Sequence, residues 1–286
     1  MSTFLETYNQ FLEFKSKRIK PNSFKGYKTL RTHIENSRDL AEIPFQQVRL
    51  ITLQSFIDSL KLKESTLQNF KIYLSQFYKW AKKYGYGGNV NIGDIELPYQ
   101  PKTRNDRNLQ IIEPKRLSKS KYAWELLLGY FTGMREGEIL GLRYSDIDLD
   151  NMSISITRTW TRFGVQDTPK TVDSIRTIPL PRQLLPYLRE RVEKNKSIKS
   201  DYISINPNTG KIISPVTLDN AIKKIYPDLH IHDLRHNFIT RGVESGVSIE
   251  ALKRLVGHSK SSNTIYKIYT HLGQDFINRE YDKIKF

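Results

Sequence analysis

The sequence contains no cysteine. That excludes disulfides and thiolate metal sites, and it fits a reducing, cytoplasmic setting. No apolar run reaches the roughly eighteen residues of a membrane-spanning helix, so no membrane partner is expected. The N-terminus, MSTFLETYNQFLEF, has an early glutamate and lacks the apolar core of a secretory signal. Internal repeats and low-complexity tracts are missing too. Acidic residues are scarce beside basic ones: 30 Asp and Glu face 46 Lys and Arg over 286 residues, a net charge of +16.

What is present suits a folded chain of two ordinary domains or one large one. Hydrophobic residues make up 38% and aromatics 11%, enough for real cores. The positive charge calls for a polyanionic partner, of which nucleic acid is the usual one. The plain alternative is a set of lysine-rich, solvated faces. Because the basic residues run along the whole chain, the charge favours a protein that wraps its partner over one with a single basic arm.

From Thr3 to about Tyr84 the pattern is helical. Phe4, Tyr8, Phe11 and Leu12 form one apolar stripe, and Phe24, Tyr27, Leu30 and Ile34 another behind the start signal Pro-Asn-Ser. ITLQSFIDSLK and KESTLQNFKIYLSQFYKWAKKYG predict two more helices, each with a Ser or Thr available as N-cap. The spacing thus predicts a helical domain over 1–88. The stretch YGYGGNVNIGDIELPYQPKTRNDRN, punctuated by glycine and proline and carrying Lys102, Arg104 and Arg107, reads as a linker, placed at 89–108. Residues 109–286 read as a second, mixed domain. In it SISITRTWTR alternates like a strand, a second strand lies in VQDTPKTVDSIRTIPLP, and helices follow to about Tyr269. The fold class expected is mainly α with a small β-sheet, an α+β second domain behind a helical first one.

The densest chemistry lies in HDLRHNFITR, residues 232–241. His232 and His236 are four apart, but the HExxH pattern fails, and no acidic cluster accompanies His230 and His232. No metal site and no cofactor is therefore expected. His232 and Arg235, at i and i+3 of a helix, would present an imidazole and a forked guanidinium to one point. Such a pair can hold a phosphate and move a proton. An isolated pair is more often structural, so partners are needed. Arg135 in TGMREGEIL follows a glycine turn at a helix start, where backbone N–H groups also favour an anion. Lys170 sits in the turn between two predicted strands, His258 closes LVGHS, and Tyr269 lies in IYKIYTHL. Each also has a bland reading: an ion-paired arginine, a solvated lysine, a core aromatic.

Taken in order, TGMREGEILGLRYSDIDL, the Lys-Thr turn, HDLRHNFIT, LVGHS and the Tyr-Thr-His ending resemble the tyrosine recombinase (phage integrase) family over roughly 109–286. The helical portion is similar, by pattern, to that family's SAM-like core-binding domain. The resemblance implies a C-shaped clamp that cuts double-stranded DNA with a tyrosine nucleophile, without metal or ATP. A 3′-phosphotyrosyl bond and a free 5′-hydroxyl result, and a homo-tetramer on two synapsed sites passes through a Holliday junction. Accessory DNA-bending factors are candidate further partners. Arg135 and Arg235 would stabilise the phosphorane-like transition state. Lys170 would protonate the leaving oxygen, and His232 and His258 would support proton transfer. Glu138 matches a carboxylate that orders the site, or is a helix-surface charge.

Tyr269 is the expected nucleophile. It lies beyond the family's usual spacing from His258, and Tyr266 competes with it; the IYTH ending decides for Tyr269. The chain starts directly at the core-binding portion, which leaves a simpler, Xer-like type or a shortened chain as alternatives. TGMREGEIL and PKTVDSIRTIPLP are more similar to mobile-element integrases than to resolvases of chromosome or plasmid dimers, which stand as the alternative. A non-catalytic DNA-binding relative would have lost members of the set. A metal-dependent nuclease would need clustered carboxylates, and a type IB topoisomerase a different layout. The tail QDFINREYDKIKF is amphipathic enough to dock on a neighbouring protomer.

Overall fold

Phe4, Tyr8, Phe11 and Leu12 do form the inner face of a helix, α1 (Phe4–Ser16), in a computed structural model that describes residues 1–99, 111–161, 163–166, 174–259 and 265. Thr3 caps α1 by accepting from the Glu6 N–H while the Glu6 carboxylate accepts from the Thr3 N–H. The chain divides into two compact units, Met1–Asn105 and Asp106–Phe286.

In the first unit, α2 (Pro21–Glu35) starts on the proline that the start signal implied. A short α3 (Arg38–Ala41), α4 (Leu50–Ser59) and the long α5 (Glu64–Lys83) follow. Helices α4 and α5 begin ahead of the expected Ser and Thr caps. Arg49 and Lys63 hold the N-cap positions without side-chain caps. In α5 the first turn instead carries Glu64, whose charge suits the positive end of the helix dipole. The core is aromatic: Phe4, Tyr8, Phe11, Phe45 and Phe77 are buried together, with Trp80 stacked beside Phe77.

Part of the stretch expected as linker packs on this unit. Ile92 and Ile95 are buried in the aromatic core, and Lys71 Nζ donates to the Gly93 carbonyl at 2.9 Å. The Gln54 side chain exchanges two hydrogen bonds of 2.9 Å with the Glu96 backbone. The glycines there supply turns (Gly87 and Gly88 have φ of 83° and 84°) rather than a domain end. Lys102, Arg104 and Arg107 lie outside the described residues.

The second unit is built around α7 (Ala123–Thr132), preceded by α6 (Pro114–Leu117) and followed by α8 (Glu136–Leu140). Strands β1 (Ile147–Asp148), β2 (Ser153–Ile156) and β5 (Arg176–Pro179) form an antiparallel sheet in the order β1-β2-β5. Ile154 pairs with Ile178, and both are buried. The alternation in SISITRTWTR is two strands, not one. It breaks at Thr157–Arg158, where Arg158 turns to an ion pair with Asp146, and β3 (Thr159–Thr161) pairs with β4 (Gly164–Gln166) as a separate hairpin. Gly137 of α8 lets that hairpin approach, because a Cβ there would lie 2.6 Å from the Trp160 carbonyl oxygen.

Among the described residues four more helices follow: α9 (Leu185–Asn195), α10 (Pro215–Lys223), α11 (Ile231–Glu244) and α12 (Ile249–Val256). Helix α11 packs along α7, with Leu234 against Gly129. Ile239, Val243, Leu252, Val256 and Ile265 form a small core of their own between α11 and α12.

Candidate phosphate-binding site

The site is assembled where α7, α11 and α12 end or begin near one another. Helix α7 stops at Gly133, which takes a left-handed conformation (φ 64°) that glycine adopts without strain. A side chain there would also strike Phe238, with Cβ 2.5 Å from its ring. The chain then turns so that Arg135 caps α8 in an extended conformation. Its backbone N–H donates to Glu138 Oε2 at 2.9 Å, so the helix start expected to receive an anion is already occupied by Glu138. Its guanidinium donates to Glu138 Oε1 at 2.8 Å and to the Gly257 carbonyl at 2.7 Å, and remains 36% exposed.

Helix α11 starts on His230, whose N–H donates to Asp233, while Asp219 accepts from the Ile231 N–H. Arg235, one turn in, is almost wholly buried. It donates to the Gly133 carbonyl and the Val256 carbonyl, both at 2.7 Å. His232, solvent-exposed, lies one turn before it, its ring edge-on to His236 at 4.9 Å. Helix α12 ends on Gly257, left-handed at φ 66°, and His258 follows with its N–H bonded to the Lys253 carbonyl at 3.0 Å. His258 Nδ1 is buried without a hydrogen-bond partner among the described residues.

Sequence reasoning missed Arg176 at the start of β5. Its Nε donates to the Leu255 carbonyl at 2.7 Å, and its two terminal nitrogens grip the two oxygens of Glu138 at 3.1 and 2.8 Å. The signal was there to read. Arg176 stands two residues from the buried Ile178, hence on the same inward face of the strand, and an inward arginine demands a carboxylate. The last carbonyls of α12 therefore each receive a different guanidinium: Leu255 from Arg176, Val256 from Arg235 and Gly257 from Arg135. Three cations at the negative end of a helix are favourably placed.

Burial and mutual repulsion set the protonation states. Burial, then the charges of Arg135 and Arg176, weaken the proton affinity of Arg235, bringing it down to about 9. Burial, then Arg235 and Arg135, push His258 down to about 4. Burial, then His236 and Arg235, lower His232 as well. Burial opposes ionisation of Glu138, but the hydrogen bonds and charge of Arg176, with help from Arg135, outweigh it and hold the carboxyl below its usual range. Two imidazoles of lowered proton affinity thus stand beside a cluster of guanidinium charge. A phosphodiester fits that charge.

Arg135, His232, Arg235 and His258 are brought together. Lys170, Tyr269, Tyr266 and the tail 274–286 lie outside the described residues. His230 stands apart, facing Asp219 at 3.4 Å. Among the described residues no cluster of His, Asp and Glu could hold a metal ion, and no helix is long and apolar enough to cross a membrane.

Comparison with known proteins agrees with this chemistry. The model of the phage integrase family matches residues 105–275. A tyrosine recombinase XerC-like protein of Caldanaerobacter subterraneus subsp. tengcongensis is 27% identical, over 88% of this chain and 75% of that protein. The integrase of Staphylococcus phage L54a is 26% identical, over 98% and 92%. Among solved structures, the Tn1549 transposon integrase in complex with a circular intermediate DNA superposes with a TM-score of 0.78 at 19% identity, covering 99% of this chain and 100% of that one. A lambda integrase tetramer bound to a Holliday junction gives 0.69 at 15% identity, over 92% and 79%. At these identities the structural likeness establishes the fold.

Proposed function

The chain belongs to the phage integrase family and is a tyrosine site-specific recombinase, and we propose that it exchanges strands for a mobile element, integrating or excising it. The observation that carries this reading is the convergence of Arg135 and Arg235, each tied to a helix-end carbonyl of α12, beside two imidazoles held neutral. The scissile phosphate lies between the guanidiniums. They stabilise the negative charge that grows on its equatorial oxygens as a fifth ligand adds.

Tyr269 supplies that ligand. Its phenolic oxygen forms the bond to phosphorus as the bond to the 5′-oxygen breaks, and Lys170 delivers the proton that the leaving oxygen takes up. His232 and His258, neutral, accept and return protons as the nucleophile is activated and the strand rejoined. The energy of the cleaved bond stays in the 3′-phosphotyrosyl ester, so attack by another 5′-hydroxyl completes the exchange without an added energy source. We place this in the cytoplasm, on duplex DNA, with four copies on two synapsed sites. The lambda integrase tetramer on its Holliday junction supports that assembly, which accessory DNA-bending factors would assist.

A second reading, resolution of chromosome or plasmid dimers, is favoured by the relatives that are Xer recombinases. One experiment serves both. Nicked suicide duplexes carrying the DNA that flanks the chain's own gene are incubated with protein, and the covalent peptide is mapped. A phosphotyrosyl peptide at Tyr269, lost in Tyr269→Phe and kept in Tyr266→Phe, is expected. An adduct that persists in Tyr269→Phe and disappears in Tyr266→Phe would move the nucleophile. Adducts on a chromosomal dimer-resolution site, with none on the flanking DNA, would favour the second reading.

A further inference from the structure

Arg176, like Arg235, is a buried guanidinium of the three. Its side chain is only 7% exposed, and its donors are spent on protein: the Leu255 carbonyl, the Ser174 carbonyl and both oxygens of Glu138. Arg135 by contrast is partly open to solvent and uses the same carboxylate through its backbone N–H and one guanidinium nitrogen. Glu138 is thus divided between two arginines. Three guanidinium charges gather around one carboxylate.

We propose that Arg176 is a positioning residue of the phosphate site: it holds Glu138 so that the carboxylate aims Arg135 without neutralising it, and it ties β5 to the end of α12 that presents Gly257 and His258. Without Arg176, both oxygens of Glu138 are free to turn on Arg135, which would form a closed pair and withdraw its charge from the phosphate. The same loss would release the Leu255 carbonyl. Gly257 shares in the arrangement, since a Cβ on it would lie 2.7 Å from a terminal nitrogen of Arg176 and 3.4 Å from one of Arg135. A lysine at 176 would keep the charge but lacks the fork that engages both carboxylate oxygens and a carbonyl at once.

The consequence for cleavage rests on the recombinase reading; the placement of Arg135 does not. Two measurements separate them. In protein labelled with ¹⁵N-arginine and free of DNA, the Arg135 side-chain resonance should shift and broaden in Arg176→Gln, and also in the better-tolerated Arg176→Lys. On the flanking-DNA suicide duplex, single-turnover adduct formation at saturating DNA should fall on the order of a hundred-fold in both variants, the usual effect of a small misplacement in a site. An unchanged Arg135 resonance in Arg176→Gln overturns the proposal, as does a wild-type adduct rate in Arg176→Lys. If wild-type protein forms no adduct, the functional reading fails while the resonance still decides the role of Arg176.

Discussion

The guanidinium of Arg235 donates to the carbonyl of Gly133 at 2.7 Å, joining a residue of α11 to the end of α7 across 102 positions of sequence. A second bond of 2.7 Å from the same group to Val256 brings in the end of α12. One buried side chain therefore ties together the segments that carry Arg135 and His258. Arg235→Lys retains the charge but cannot bridge two carbonyls that face a planar fork. Leaving a buried carbonyl without its donor costs about 1–3 kcal/mol. The urea midpoint should fall accordingly. Covalent attachment to DNA should drop by two or more orders of magnitude, roughly what removing a transition-state donor costs. Wild-type adduct formation in this variant would show that Arg235 is structural only.

Gly257 is held by conformation and by space. Its φ of 66° is left-handed, and a Cβ on it would run into the guanidiniums of Arg176 and Arg135. Gly257→Ala should cost about 1–2 kcal/mol from the backbone alone. The displaced guanidiniums should lower adduct formation beyond what the stability loss accounts for. Gly210→Ala is the control. It shares the left-handed φ, 65°, but has only Ile198 within 4 Å, at 3.7 Å. It should lose stability alone. Equal activity in the two variants would remove the guanidinium packing from the account.

Away from the site, Glu125 of α7 is wholly buried and bound by both carboxylate oxygens to Arg191 of α9, at 2.7 and 2.5 Å. Removing one member strands the other's charge in an apolar core. Arg191→Ala should therefore destabilise the second unit by about 3–5 kcal/mol. Glu125→Leu with Arg191→Met, which removes both charges, should recover most of it. Chemical denaturation of the single and double variants tests this, and a double variant no better than the single one would refute it.

How much of this could be read beforehand differs from element to element. The helices of the first unit were legible because Leu67, Phe70, Leu74, Phe77 and Ala81 repeat every three or four residues. Their starts were not, because Ser and Thr are common in first turns as well as at caps, and the N-cap positions fall on Arg49 and Lys63. Ile92 and Ile95 were hidden by the glycines around them, since glycine marks a turn without saying what the next side chain covers. Arg135, His232, Arg235 and His258 were legible as a set through spacing and family resemblance. Arg176 carried only the weaker signal of its place two residues before Ile178, because β5 has four residues and shows barely one period of alternation.

The pH dependence of stability should show two opposed slopes that can be taken apart. His258 has its folded pKa depressed from about 6.5 to about 4 by burial and by Arg235 and Arg135. The unfolded chain thus binds a proton that the folded one does not, and stability rises with pH across that window. His232 is lowered for related reasons and acts in the same sense. Glu136 is pushed the other way, from 4.5 up to about 7, by burial and by the neighbouring charge of Asp219. There the folded state binds the extra proton, so stability falls as pH rises from 4.5 to 7. Glu136→Gln should remove that falling component, leaving a steeper rise of the urea midpoint between pH 4.5 and 6.5 than in the wild type. His258→Gln should do the reverse, flattening the rise or turning it downward. If both variants keep the wild-type slope, neither group titrates as its surroundings imply, and the neutral imidazole assigned to the site at His258 would have to be withdrawn.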